Sequence, residues 1–505
     1  MNVSSLGYLV FFTILYYGLK IFFTVNKIST HSFALLLATA TILLVYLIFA
    51  IYHCYFQKET LTNFFIPNKS IFSILLASQI ALVLPMWLFY KKENKFSKPV
   101  NWVFIVLISL SLILLGFTQG RAGYIGLALA LSYIAYQYLS VSNFKRIFLY
   151  AVLPSFILLT TVLFLHKSGS SSGRLLIYKI SGGMLKDNWL WGIGQGQFKI
   201  QYNHYQSVYF SSHNIDSKEA LLADNTFYAF NDFFQVLIEN GLIGFLILTV
   251  ILFLLVVQIK KAILTPANKY LFTAAIASLI CILTGSLFSY PLQIFPIAIQ
   301  ATLSLSIINS FKPGKELQVK LSENGGKIAK IISILLSILL LVHSLFYFNN
   351  KKENKQAFEL KRSGFRQKAI EKYKNLNDSY IQDGSMFYLY AQELYSTNQL
   401  TKAQEILSKA KKLYCTNEVY KLSARIENEL QNYLQAEADY KKAIYIVPNR
   451  MTSRNELFEH YLGRKDTVHA IYWANSILNM PIKVPSQKTK NIQQRTKEAL
   501  VQLNK

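Results

Sequence analysis

Ten runs of apolar residues, each near the length that crosses a bilayer as a helix, constrain this chain more than any other feature. They lie near 5–24, 33–56, 70–90, 99–117, 122–140, 146–165, 233–257, 269–288, 291–310 and 328–347. A hydrocarbon core about 30 Å thick takes roughly 20 residues of helix to cross, and lipid leaves no partner for a backbone amide outside a helix or a closed barrel. The charged fraction is 15%, well under the roughly 25% of soluble domains. The expected fold class is all-α. A polytopic membrane bundle of about ten transmembrane helices would occupy residues 1–348, with a polar helical region over 349–505. The first run has no basic flank and no small-residue cleavage site, so it reads as a retained helix rather than a removable signal peptide.

Lysine and arginine in short loops are held back in the cytoplasm. One set of alternating loops carries Lys27, Lys91, Lys92, Lys95, Lys98, Lys145, Arg146, Lys260, Lys261, Lys269, Lys312, Lys315, Lys320, Lys327 and Lys330. The opposite loops carry only Lys58, Lys69 and Arg121. This bias places the N-terminus, the long polar loop 166–232 and everything after residue 348 outside the cytoplasm. A polar loop of that length beside so many spans suits chemistry on a lipid-embedded substrate better than transport.

The net charge of +26 is accounted for by those inner loops and by a tail holding 27 basic and 16 acidic residues from 351 onward. Charge alone is a weak footprint of nucleic acid, and no nucleic-acid partner is expected. Cys54 and Cys281 lie in apolar runs and Cys415 in the tail, which offers neither a disulfide framework nor a zinc pattern. No metal and no cofactor are expected.

Residues 349–505 change character. Ala369, Ala403 and Ala436 recur at spacings of 34 and 33, and Ala410 and Ala443 each follow their partner by seven. That period is the one of tetratricopeptide (TPR) helix pairs, with Tyr388, Tyr395, Leu400, Ile406, Leu407, Tyr433, Tyr440 and Ile444 as apolar faces. A TPR-like region offers a surface for an envelope protein or an acceptor; a helical domain that only stabilises its neighbour is the plainer alternative.

Two arginines fall on the predicted outer side. Arg121 sits in the turn Thr118-Gln119-Gly120-Arg121-Ala122-Gly123, and Arg174 follows a Ser/Gly stretch, 168–173, expected to be flexible. Two guanidinium forks suit a diphosphate; equally, each arginine would snorkel to the headgroups. Gly192, Gly194 and Gly196 permit a tight turn near a substrate, either a phosphate-cradling nest or a plain loop turn.

The order of these motifs carries more than any one of them. The turn with Arg121, the Gly173-Arg174 pair followed by Tyr178, the segment Asp187–Phe198 containing Trp191-Gly192-Ile193-Gly194-Gln195-Gly196, and Ala229-Phe230-Asn231-Asp232 leading to Glu239-Asn240-Gly241-Leu242-Ile243-Gly244 resemble the bacterial O-antigen ligase and polymerase family. The resemblance implies a metal-independent glycosyltransferase in the bacterial inner membrane. Its donor would be an undecaprenyl-diphosphate-linked glycan and its acceptor lipid A core, a growing polysaccharide or a protein hydroxyl, on the periplasmic side. Carried over by position, Arg121 and Arg174 would hold the carrier diphosphate, Asn231 would match the asparagine of the loop-closing motif, and Glu239, Gly241 and Gly244 the acidic and glycine positions after it. The family usually has a histidine before that asparagine, a candidate base, where this chain has Phe230; a tryptophan is also common at the position of Tyr178. His204, His213 and Asp224 are the candidate bases that remain in the loop. A polysaccharide transporter or flippase and a non-catalytic scaffold with a partner-binding tail stay open as alternatives.

Overall fold

The computed structural model describes residues 3–25, 28–55, 68–138, 168–311, 342, 346, 349–377 and 383–503. In chain order the helices are α1 (Val3–Val25), α2 (Ile28–Tyr55), α3 (Lys69–Lys92), α4 (Lys98–Thr118), α5 (Arg121–Tyr138), α6 (Ser168–Asp187), α7 (Phe198–Ser211), α8 (Lys218–Leu222), α9 (Asp232–Lys261), α10 (Pro266–Phe288) and α11 (Phe295–Ser310). After these come α12 (349–362), α13 (Arg366–Asn377), α14 (Gly384–Ser396), α15 (Leu400–Leu413), α16 (Asn417–Glu429), α17 (Tyr433–Ile446), α18 (Met451–Gly463), α19 (Thr467–Asn479) and α20 (Gln487–Leu503). Among the described residues there is no strand, as the all-α expectation requires. The chain divides into two compact units, one of residues 1–168 and 228–320, the other of 169–227 and 321–505. The long loop thus groups with the C-terminal helices rather than with the apolar helices that flank it in sequence.

In the first unit, five helices are long and apolar enough to cross a membrane: Ser32–Tyr52, Lys69–Lys92, Lys98–Thr118, Asp232–Lys261 and Asn268–Phe288. Three more of the ten apolar runs are helical, as α1, α5 and α11. The runs near 146–165 and 328–347 lie outside the described residues, apart from Val342 and Phe346. Helix α11 has only 16 residues, because Pro291 and Pro296 lack the amide hydrogens a helix interior needs, and a 3-10 turn, Pro291–Gln293, precedes it. The centre is built by α3 and α10, 89% and 78% buried over their apolar stretches, with α5 packed on both. By contrast α9 is 6% buried; Leu246, Ile247, Val250, Phe253 and Leu254 face outward, where lipid chains replace a protein partner. The helix starts are specified locally. Asn68 caps α3 through its side-chain oxygen, which accepts from Ser70 N at 2.9 Å, and Thr265 with Asn268 forms a capping box on α10.

In the second unit, helix pairs α14/α15, α16/α17 and α18/α19 pack in succession. Ala369, Ala403, Ala410, Ala436 and Ala443 are all fully buried, and Ala470 on α19 extends the period by another 34 positions. Small side chains at those points let the helix axes approach closely. The loop is itself largely helical, as α6, α7 and α8. The Ser/Gly stretch 168–173, expected to be flexible, is the start of α6. Weak propensity yields there to the buried stripe Leu176, Ile177, Ile180 and Met184, which makes elongation of an existing helix cheap compared with nucleation.

Buried polar side chains fasten α7 and α8 to the C-terminal helices. Asn203 donates from Nδ2 to Cys415 O at 2.7 Å and accepts Thr226 N at 3.0 Å. Gln206 Nε2 donates to Ile446 O. Asn449 Nδ2 reaches the carbonyls of Ala220, Leu221 and Ala223 at 3.1, 3.2 and 2.6 Å. Arg454, 1% exposed, donates to Asp216 Oδ1 at 2.7 Å and to Ile215 O at 3.1 Å. Each side chain satisfies a backbone or carboxylate group that burial would otherwise leave without water, which is the condition for tolerating polar groups in a core.

Candidate functional site

In the first unit, Arg121 opens α5 directly after Gln119, which is left-handed at φ 52. Thr118 Oγ1 accepts Gly120 N at 3.2 Å and fixes the turn. A Cβ at Gly120 would stand 2.1 Å from Ser73 Oγ, and one at Gly123 would stand 2.5 Å from Ser73 O. The glycines around Arg121 therefore let the start of α5 lie against the start of α3. This sets the half-buried Arg121 at a helix N-terminus, where the helix dipole favours an anion.

The segment 229–244 forms the second constellation of that unit. Asn231 is the N-cap of α9, its Oδ1 accepting Phe234 N at 3.0 Å. Gln235 ties the turn together, accepting Ala229 N at 3.1 Å and donating to Glu239 Oε1 at 3.2 Å. Phe230 is left-handed at φ 53, and its ring packs edge-on to Tyr290, which also stacks on Tyr228 at 3.9 Å and accepts from Asn68 Nδ2 at 2.9 Å. Histidine is among the residues enriched in left-handed backbone; phenylalanine is not, and aromatic packing holds it here. Gly241, at φ 64 and ψ −168, kinks α9 and separates a first segment, 232–240, that carries Asp232, Gln235, Glu239 and Asn240, from the long apolar stretch that follows.

Asp232 is a residue that the sequence reading passed over. It is 3% exposed; its Oδ2 accepts from Ser286 Oγ and Leu292 N, both at 3.0 Å, while Oδ1 has no hydrogen-bond partner. The signal for it was position alone: an acidic residue at the first turn of a helix usually serves the dipole from the surface, and only the fold of α10 and the 3-10 turn around it shows burial.

In the second unit, Arg174 lies on the first half of α6 beside Leu175, which is 61% exposed. The glycine run is a true turn: Gly192, Gly194 and Gly196 have φ of 72, 101 and 73, conformations L-residues rarely adopt, and Gln197 N bonds Gly194 O at 3.1 Å. His204 is exposed on α7; partial desolvation and the charge of Lys442 hold its pKa below the ordinary 6.5. His213 stacks on Tyr209 at 3.9 Å and its Nδ1 pairs with Tyr209 O at 2.7 Å. Beside it, Glu219 accepts from Lys179 Nζ at 2.8 Å and from Tyr209 OH at 2.5 Å; those two hydrogen bonds hold its pKa below the usual carboxylate value. Asp224 pairs with Arg450 at 3.2 Å, a contact that links the loop to α18. His213 is thereby brought into a cluster with Lys179, Tyr209 and Glu219, whereas Asp224 stands at the seam with the repeats. Among the described residues no three His, Cys, Asp or Glu side chains converge as a metal-ligand set.

Among the described residues, a helical protein with five membrane-length helices and a largely helical loop is the class these features define. Residues 72–249 match the family described as O-Antigen ligase, and the resemblance read from the motifs is shown over that stretch, which contains Arg121, Arg174 and the 229–244 segment. The match supports a membrane glycosyltransferase-like enzyme at the level of the family, acting on a lipid-linked glycan and an acceptor. No curated protein matches the chain.

Proposed function

We propose that this chain transfers an oligosaccharide from undecaprenyl diphosphate to an acceptor hydroxyl at the outer face of the bacterial inner membrane. The acceptor would be lipid A core, a growing polysaccharide or a protein side chain. The family match over 72–249 carries this reading, because it spans both arginines and the Asn-Asp motif in one stretch. In the reaction the acceptor oxygen forms a bond to the anomeric carbon while the bond from that carbon to the diphosphate oxygen breaks. The electron pair leaves on the lipid diphosphate. Arg121 and Arg174 are assigned to stabilise that growing charge, the effect that preorganised donors supply most strongly. No metal or cofactor is required by this assignment.

The proton of the acceptor hydroxyl needs a base in place of the histidine that Phe230 replaces. His204 is assigned to it. Its lowered pKa keeps the imidazole neutral near pH 7, and its ring is open to solvent, whereas His213 and Asp224 are held by Tyr209 and Arg450. The stacked helix pairs of the second unit support the TPR-like reading, with an envelope protein or the acceptor itself as the partner.

The test uses purified protein in lipid nanodiscs with a lipid-linked glycan. Turnover should appear as free lipid diphosphate, and Arg121→Ala and Arg174→Ala should each lower it by about 10²- to 10³-fold. The acid limb of kcat/KM should fall below pH 6.5, since protonation removes the base, and His204→Ala should erase that limb. In sealed proteoliposomes, glycan crossing the bilayer with its diphosphate intact would mean transport. Unchanged turnover in both arginine variants at equal protein level would refute the assignment.

A further inference from the structure

A cavity of about 510 Å³ opens within the C-terminal helices among α16, α17 and α18, and none of the residues assigned to the transfer site lines it. Its size is that of small-molecule sites, about 300–1,000 Å³, yet such sites are mostly apolar and this one is not. Two arginines, Arg425 and Arg464, and two glutamates, Glu456 and Glu459, line it, so its formal charges cancel.

One pair of these charges is already engaged. Arg425 grips Glu456 with two hydrogen bonds, Nε to Oε2 at 2.9 Å and Nη2 to Oε1 at 2.6 Å, and Lys421 stands 3.7 Å from the same carboxylate. Glu459 accepts from Asn455 at 2.7 Å. The guanidinium of Arg464 lies 5.1 Å over the ring of Tyr433. His460, which bonds Asn428 through Nδ1 at 2.7 Å, is kept neutral by burial and by Arg464, both of which lower its pKa.

That chemistry selects its ligand by exclusion. A phosphate would meet Glu459 and a metal or an amine would meet Arg464, charges of its own sign in a lining whose formal charges cancel. A lipid chain would need an apolar lining. A docked peptide reads a groove through an apolar anchor, a sheet edge or an excess of arginines; the lining is polar and its two arginines are matched by two glutamates. What remains is an uncharged molecule rich in hydroxyls, which finds an acceptor on Glu459, a donor on Arg464, and a flat surface for its C–H faces on Tyr433, 37% exposed.

We propose that the cavity among α16, α17 and α18 binds uncharged sugar units of a glycan. Its use as a subsite for the enzyme's own glycan, which keeps the chain near the site of transfer, rests on the glycosyltransferase reading. The experiment uses the full chain in nanodiscs. The probe is the neutral oligosaccharide fraction freed by mild acid from the producing cell's lipid-linked glycans, with inorganic pyrophosphate as the anionic control.

Saturation-transfer NMR should show sugar protons in contact, and Tyr433→Ala and Arg464→Ala should each weaken binding by about tenfold or more. Both side chains are at the surface, so unfolding is excluded by an unchanged Tm. Turnover of a short lipid-linked donor, measured on the same samples, should be unaltered, and it reports separately on the transferase reading. Absence of saturation transfer, signals that survive both substitutions, or binding of pyrophosphate lost with Arg464→Ala would each overturn the proposal.

Discussion

At Gly241 the backbone takes φ 64 and ψ −168, a region essentially closed to side chains, and the kink turns the apolar half of α9 away from the capped segment 232–240. Replacing this glycine with alanine should cost about 1–3 kcal/mol in backbone strain. Either Tm falls by the corresponding amount or the kink straightens, and in both cases turnover drops because Asn231, Asp232 and Glu239 share the displaced segment. An alanine variant with wild-type Tm and turnover would show that the kink carries no function. The sequence made Gly241 visible through its place in the motif but not through its geometry. The same holds at Phe230. Its departure from histidine was legible, while its left-handed backbone and its packing against Tyr290 depend on the 3-10 turn 60 residues further on. Asp232 was missed for a related reason: its neighbours Ser286 and Leu292 are distant in sequence, and nothing local distinguishes a buried acid from one that decorates a helix start.

Helices α7 and α8 show how elements that read as loop become ordered. The apolar stripe of α7, Phe198, Tyr202 and Phe210, is interrupted by the buried polar Asn203 and Gln206, and α8 is only five residues long. Their order comes from hydrogen bonds to C-terminal positions more than 200 residues away: Asn203 and Gln206 donate to the backbone carbonyls of Cys415 and Ile446, and Asn449 donates to the end of α8. Asn449 is the clearest case, since one amide group reaches three carbonyls at the end of α8. Asn449→Ala removes that donor and leaves buried carbonyls unpaired, at about 1–3 kcal/mol. Hydrogen exchange should therefore speed up across 217–224, and Asn449→Asp should do at least as much damage, because an ionised carboxylate accepts and cannot donate. Exchange rates equal to wild type in the alanine variant would mean that the loop holds its own shape. The alanine period of the C-terminal region was legible for the opposite reason: repeated small residues are a local pattern, and Ala470 continues it on α19.

On the scale of the whole chain, the division into units changes what a C-terminal deletion tests. The apolar helices have their own core around α3 and α10, so a protein ending at residue 348 keeps the contacts that bury those helices. The loop 169–227 does not keep its contacts. Phe198, Tyr202 and Phe210, each at most 1% exposed, belong to the unit that contains the C-terminal helices, and Asn203 and Gln206 would lose their carbonyl acceptors at Cys415 and Ile446. The truncated protein should insert and resist alkaline carbonate extraction as the full chain does, while proteolysis opens within 198–227. Turnover should fall by about a hundredfold, the scale expected when a positioned catalytic group is displaced by an ångström or so, because Arg174 and His204 are carried by the released helices. A plain partner-binding tail predicts the reverse, with full turnover on a soluble acceptor and loss only of the partner. Measuring donor consumption with and without residues 349–505 therefore separates a tail that recruits from one that shapes the loop.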